Sequence, residues 1–172
     1  MAVYFLTELE NSLHGEVIVK IGRSQLLKRR IANLQTGNHR KIALMGEIRT
    51  RSIPDDRAVE RQLHIKFEDK AEHGEWFSLS PEDVVSALKH FSSIAYIAVG
   101  QDAFEIISYD RKAVPEFASP WLWGELDFNE FCPICGWAGG WSYSENHAGD
   151  ICLECGTSEH EFNPAEYNPE NG

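Results

Sequence analysis

Val19-Lys20-Ile21-Gly22-Arg23-Ser24-Gln25-Leu26-Leu27-Lys28-Arg29-Arg30-Ile31 reads as two elements joined with almost no spacer. Val19 to Ile21 is β-branched around one lysine and suits an extended strand. Gly22 breaks that pattern, and Leu27 with Ile31 begins an i, i+4 helical stripe. A strand that runs straight into a helix lifts an arginine-rich first turn above the strand end, which is a phosphate-handling geometry. Charge points the same way. Between Lys20 and Arg51 stand nine basic residues (Lys20, Arg23, Lys28, Arg29, Arg30, Arg40, Lys41, Arg49, Arg51) and a single acid, Glu47, in a chain of net charge −11. Arg23, Lys28, Arg29, His39, Arg40 and Lys41 are the candidate nucleic-acid contacts. Such a run attracts nucleic acid even where no chemistry follows.

Working outward, Ala2-Val3-Tyr4-Phe5-Leu6 is a short aromatic and β-branched strand, and Val17 to Ile21 is the next. Adjacent strands joined by a polar connection pair most simply as an antiparallel hairpin. Period-two alternation places Tyr4 with Ala2 and Leu6, and Lys20 with Ile18, which is expected to bring Tyr4 and Lys20 to one edge of the sheet. The helix after Gly22 is expected to start on Ser24 as its N-cap, to bury Leu27, Ile31 and Leu34, and to end near Gly37. Ile42 to Arg49 predicts a third strand, irregular at Gly46. Ser52 and Pro54 then open a helix that buries Val59, Leu63 and Phe67. Glu60 and His64 share one face of that helix, beside its buried stripe. The Gly74-Glu75-Trp76-Phe77 turn and a helix from Ser80-Pro81, with Val84, Val85, Leu88 and Phe91 facing inward, complete an α/β unit: a small antiparallel sheet flanked by helices.

The chain has two electrostatic halves. Residues 1–93 carry 14 basic and 13 acidic side chains, net +1, whereas 94–172 carry 2 and 14, net −12. No apolar run is long enough to span a bilayer, and Met1 to Glu10 lacks the basic start and apolar core of a signal peptide, so a cytoplasmic protein without a membrane partner is expected. All four cysteines lie in two tight pairs, which in a reducing compartment points to metal rather than disulfides.

Ala2-Val3-Tyr4, Lys20-Ile21-Gly22, Arg30 ten residues on, Glu60 in a Glu-x-x-Leu-His helix and Glu75-Trp76-Phe77 form an ordered set. Over residues 1–93 that set resembles the GIY-YIG nuclease superfamily, and within it the T5orf172 branch. The resemblance implies hydrolysis of a DNA phosphodiester with one divalent metal, Mg²⁺ or Mn²⁺. It implies Glu60 as the metal ligand, Arg30 as the fork on the scissile phosphate, and Tyr4 with Lys20 assisting deprotonation of the attacking water. Ala2 departs from the first motif glycine and Lys20 from the second motif tyrosine, although some restriction-type members resemble this chain in having lysine there. An ammonium beside Tyr4 would lower the phenol's pKa from near 10 and favour Tyr4 as the base. Leu34 occupies the place of a helical histidine found in several members, and His39 or His64 are the substitutes at hand.

Each of these residues also has an ordinary reading. Tyr4 is a common strand residue, Arg30 a solvated helix charge, Glu60 beside Arg61 an exposed acid, and His64 a half-buried helix residue. Trp76 and Phe77 suit a core, and Glu75 a structural place beside them. A degenerate domain of the same fold that binds DNA or protein without cutting is therefore the alternative to an endonuclease. A third reading makes the cysteine module the working part, an adaptor on a scaffold.

Beyond residue 93, Ala95–Val99 and Ala103–Ile107 predict another hairpin, and Pro115, Pro120, Trp121 and Trp123 a linker packed on a folded unit; together they occupy 94–128. Cys132-Pro133-Ile134-Cys135-Gly136 and Cys152-Leu153-Glu154-Cys155-Gly156 match two knuckles of a four-cysteine zinc ribbon over 129–162. Its Zn²⁺ would be structural. The acids Glu130, Glu145, Asp150, Glu154, Glu159 and Glu161 would repel phosphate and favour a protein partner. His147 and His160 fall outside the ligand spacing. Metal binding should supply most of this module's folding free energy, and chelation is expected to spare residues 1–93. Residues 163–172 read as a loose tail.

Overall fold

The computed structural model describes residues 1–8, 15–99, 106–109, 115–117, 121 and 130–161. Among these, six strands form one antiparallel sheet: β1 (Ala2–Glu8), β2 (Val17–Ser24), β3 (Ile42–Arg49), β4 (Ala71–His73), β5 (Trp76–Leu79) and β6 (Ala95–Ile97), in the order β4-β5-β2-β1-β3-β6. Three helices flank it: α1 (Leu27–Gly37), α2 (Ile53–Lys66) and α3 (Pro81–His90). The expected mixed α/β architecture is what the chain adopts. β1 and β2 are the middle pair, however, so Tyr4 and Lys20 stand at the centre of the sheet and not at its edge. β3 covers the far side of β1 and β5 that of β2, pairings between distant segments that local alternation does not encode.

Alternation along β1 and β2 divides the two faces. Val3, Phe5, Val19 and Ile21 point to a core closed by Leu63 of α2, by Phe67 at the end of that helix, and by Val84 and Leu88 of α3. Tyr4, Leu6 and Ile42 point the other way and are covered by Ile31, Leu27 and Leu34 of α1. All three helices use the apolar stripes their sequences carry. The irregularity expected at Gly46 is a bulge. Phe5 faces Gly46 while Leu6 faces Leu44, and a Cβ on Gly46 would lie 2.7 Å from Leu88 Cδ1 and 2.8 Å from the Tyr96 carbonyl oxygen.

The caps of α2 and α3 follow the sequence. Ser52 accepts the Asp55 amide, and Ser80 with Asp83 forms a reciprocal capping box. α1 does not follow it. β2 stays paired with β1 as far as Ala2 opposite Ser24, which holds Ser24 extended. The Ser24 hydroxyl accepts the Leu26 amide at 3.1 Å, and the helix starts only at Leu27, without a side-chain cap.

The described parts of the expected hairpin of 95–99 with 103–107 make two other pairings. β6 adds to the edge of β3, with Ile97 opposite Gly46 and Ala95 opposite Ile48, and β7 (Ile106–Tyr109) pairs with β8 (Pro115–Phe117). Residues 100–105 lie outside the described residues. An open strand edge with apolar cover outcompetes a local turn, and Ala95, Tyr96 and Ile97 are all buried there. Trp121, 4% exposed, donates its indole N–H to the Met45 carbonyl at 2.6 Å, so this part of the expected linker packs on the sheet. Pro120, Trp123 and the tail 163–172 lie outside the described residues.

The cysteine module carries the hairpin β9 (Trp141–Ser144) and β10 (Gly149–Cys152). It is bonded to the sheet edge. Ile97 donates its amide to Gly136 at 2.7 Å, and Ala138 donates to Ala95 at 3.0 Å. Phe131, fully buried, and Ala138 belong to the same core cluster as Val3 and Leu88.

Candidate active site

Tyr4 lies directly across from Gly22, and the missing side chain there makes room for its ring. A Cβ on Gly22 would sit 2.6 Å from the Tyr4 hydroxyl oxygen and 2.9 Å from Cζ. The phenol is 1% exposed, and its oxygen accepts a hydrogen bond from Arg30 Nε at 3.3 Å. That bond is the main influence holding the Arg30 guanidinium above its ordinary range, with the Glu75 carboxylate adding to it. The cation at the phenol is therefore Arg30. The rest of Arg30 is exposed at the start of α1, where its remaining donors are available to a phosphate.

Lys20 pairs across the strands with Leu6, on the face that carries Tyr4. It is 8% exposed. A buried ammonium demands a partner, and it finds one in the β4–β5 turn and another at the start of β5. Nζ stands 2.6 Å from the Glu75 carboxylate and 5.3 Å from the centroid of Trp76. The expected neighbour of this ammonium was Tyr4; the closest groups are Glu75 and Trp76, because β5 lies beside β2. Trp76 is only partly buried and lines, with Lys20, Leu6, Leu34 and Ile42, a cleft of about 260 Å³ under the end of α1. Phe77, 3% exposed, joins the core on the other face. Glu75 is the site neighbour that sequence reading passed over as structural. The signal that could have found it is its place beside Trp76 in the Glu-Trp-Phe turn.

Glu60 comes from the opposite side. α2 packs against the Val3 and Ile21 face, and the Glu60 carboxylate is held by Arg23 Nε at 2.9 Å. His64, one turn on, donates from Nε2 to the Ile21 carbonyl at 3.1 Å and lies with its ring 5.1 Å from Phe77. β5 pairs with β2 only as far as Lys20 opposite Trp76, followed by one bond from the Ile21 amide to Glu75. Beyond it, Gly22 to Ser24 pair with β1 alone among the described strands. Glu60, Arg23 and His64 thus border this open end of β2 on one face, and Lys20, Glu75 and the Tyr4–Arg30 pair on the other. Tyr4, Lys20 and Arg30 share a face, and Glu60 reaches the strand end from the other.

Glu60 is one carboxylate with a half-open flank bordered by Arg61, His64, Ile65 and Glu68. Mg²⁺ keeps most of its waters and is commonly held by one or two carboxylates together with substrate phosphates, so the donor fits such an ion without a closed cage. Of the basic residues, Lys28, Arg29, His39 and Lys41 are exposed on or after α1. Arg40 is held by Glu8 at 3.0 Å, and Arg23 by Glu60.

The four cysteines meet as their spacing implies, with all sulfurs within 4.8 Å of one another. Cys132 to Cys155 is 3.7 Å and Cys135 to Cys152 is 3.8 Å, close to the edge of about 3.8 Å that a tetrahedron of roughly 2.3 Å Zn–S bonds requires. Gly136 and Gly156 turn each knuckle at φ +77°, and their amides return to the carbonyls of Cys132 and Cys152. Burial pushes the Cys132 thiol up to about 11 and raises Cys135 as well. At Cys155 burial acts in the same sense but is outweighed by hydrogen bonds from Thr157, which lower it to about 7. This donor set can bind zinc, and among the described residues it is the one group of three or more His, Cys, Asp or Glu so placed. His147 and His160 are exposed and outside it. Also among the described residues, no helix is long and apolar enough to cross a membrane.

Comparison with curated proteins and with solved structures returned no match. Comparison with family models matched the T5orf172 domain over residues 1–92, the part of the chain that holds every one of Tyr4, Lys20, Arg30, Glu60 and Glu75. The match spans more than half of the sequence, and the chain belongs to the T5orf172 domain family.

Proposed function

We propose that the protein is a metal-dependent DNA endonuclease of the GIY-YIG type, with Tyr4, Lys20, Arg30 and Glu60 as its working residues. The observation that carries this reading is the Tyr4–Arg30 bond over Gly22: a buried phenol whose hydroxyl meets a half-open guanidinium. Arg30 would hold the scissile phosphate, where negative charge grows in the transition state. Tyr4 would take the proton of the attacking water, and Lys20 would supply fixed positive charge on the same face. Glu60 would hold Mg²⁺ or Mn²⁺, which when bound screens the phosphate and steadies the leaving oxygen. Arg23 would exchange Glu60 for a backbone phosphate when DNA arrives, and Lys28, Arg29, His39, Arg40 and Lys41 would extend that contact along the strand. His64 would orient the strand end through the Ile21 carbonyl.

The four cysteines would hold one structural Zn²⁺. The acids around them make a protein surface a better partner for that module than DNA. The natural location of such a chain is the cytoplasm, where cysteines stay reduced. The test is nicking of supercoiled plasmid with Mg²⁺ or Mn²⁺, run beside Glu60→Ala. The wild-type protein should nick and the variant should not; a silent wild type, or an equally active variant, overturns the reading.

The second reading, a DNA binder without chemistry, is favoured by one observation. The Glu60 carboxylate is already satisfied by Arg23. If that pair never opens, the basic face binds and nothing is cut.

A further inference from the structure

We infer that Glu75 is a positioning residue that fixes the Lys20 ammonium away from Tyr4, so that Arg30 alone meets the phenol; this rests on the nuclease reading only for its catalytic consequence. Lys20 and Tyr4 share a face as diagonal cross-strand neighbours, Lys20 opposite Leu6 and Tyr4 opposite Gly22. Diagonal Cβ atoms lie roughly 7–8 Å apart, within reach of a four-carbon stem. Nothing in the strand pairing stops Nζ from swinging to the phenol. What stops it is the β4–β5 turn. Glu75 is tied to β2 by its own carbonyl, which accepts the Ile21 amide at 3.0 Å, so its side chain is delivered beside the lysine. Its carboxylate takes Nζ at 2.6 Å, and the Trp76 ring closes the other side at 5.3 Å. Arg30, one element away, feels the same carboxylate.

Glu75 thus sorts two cations: it retains Lys20 and leaves Tyr4 to Arg30. Its side chain is 45% exposed and its hold on β2 is through the main chain, so Glu75→Gln should fold. The charge would go while an oxygen acceptor of the same size remains.

Two measurements on the full-length protein test this. The first is the rate at which an N-hydroxysuccinimide acetate acylates Lys20, read by peptide mass spectrometry against exposed Lys28 and Lys41. Glu75→Gln should raise Lys20 labelling about five-fold or more and leave the other two unchanged, and Glu75→Asp should fall between. An unchanged Lys20 rate overturns the inference, whether or not the protein cuts DNA. The second is single-turnover plasmid nicking, with DNA affinity measured separately in Ca²⁺. Glu75→Gln should slow nicking about ten-fold or more with affinity within about two-fold, and Lys20→Met with Glu75→Gln should be no slower than Lys20→Met alone. Additive losses would mean that Glu75 acts by some other route and would overturn the inference. A wild type that does not nick, with Lys20 labelling still raised in Glu75→Gln, would sink the nuclease reading and leave the positioning intact.

Discussion

Arg30 separates a phosphate fork from a simple positive charge. Arg30→Lys keeps the charge but loses the planar donor set and the Nε–H that meets Tyr4. DNA affinity should change little while turnover falls by about 10²-fold, the scale of one lost transition-state contact. A loss of less than a few-fold in nicking would return Arg30 to the status of a surface charge. Glu60→Gln tests the metal ligand in the same assay. Its pair with Arg23 is half-exposed and worth on the order of 0–1 kcal/mol, so the fold should survive while metal-dependent cutting collapses and DNA binding holds or tightens. Unfolding of the variant, or unaltered cutting, would count against Glu60. At this scale the sequence grouped Tyr4 with Leu6, Lys20 with Ile18 and put Arg30 on the following helix, because strand and helix periods are local; that Tyr4 and Lys20 share a face follows only from the register of β1 on β2. It did not show who touches whom. Glu75 is 55 residues from Lys20 and Glu60 is 37 from Arg23, separations at which no periodicity speaks.

The strands carry a prediction of their own at Gly22. Adding a methyl there drives it into the Tyr4 hydroxyl and ring edge, with the backbone on one side and α1 on the other. Gly22→Ala should cost about 1–3 kcal/mol as an overpacked site and should also abolish nicking, since the phenol must leave Arg30. Gly46→Ala provides the comparison. It would crowd Leu88 and the Tyr96 carbonyl and lower stability by a similar mechanism, on the face away from Tyr4, so cutting below its melting temperature should persist. Equal retention of activity in both variants would show that the Tyr4–Arg30 geometry is not required. Most element boundaries were legible, since Ser52, Pro54, Ser80 and the apolar stripes act within a few residues. Ser24 misled because its strand remained paired past the residue whose chemistry signals a cap. Ala95–Ile97 misled because the edge of β3, far away in sequence, competes with a nearby turn.

Taken whole, the molecule joins a basic face around α1 to an acidic C-terminal half, and the join at the edge of the sheet is made of backbone hydrogen bonds and shared core. A sequence reading treats the cysteine module as a unit that folds on its metal alone, because Phe131 and Ala138 carry no signal of where they are buried. In the structure they lie in the same core as Val3 and Leu88, while Gly136 passes so close to Ile97 that a Cβ would stand 2.0 Å from its carbonyl oxygen. Tyr96 adds a bond from its hydroxyl to Glu154 at 2.7 Å, and Lys89 pairs with Glu130. If zinc holds the knuckles, its removal should therefore loosen β6 and the adjoining core as well as the module. Losing the burial of Phe131 alone is worth about 1.5–3 kcal/mol, or roughly 3–12 °C in the melting temperature of a chain this size. The check is hydrogen exchange before and after chelation. Amides of Ile97 and Ala138, bonded across the join, should lose protection together with those of β9 and β10, whereas β1 and β2 amides should hold. Protection lost in the knuckles but retained at Ile97 would show that β6 and its bonds to the sheet stand without the metal, and would overturn this coupling.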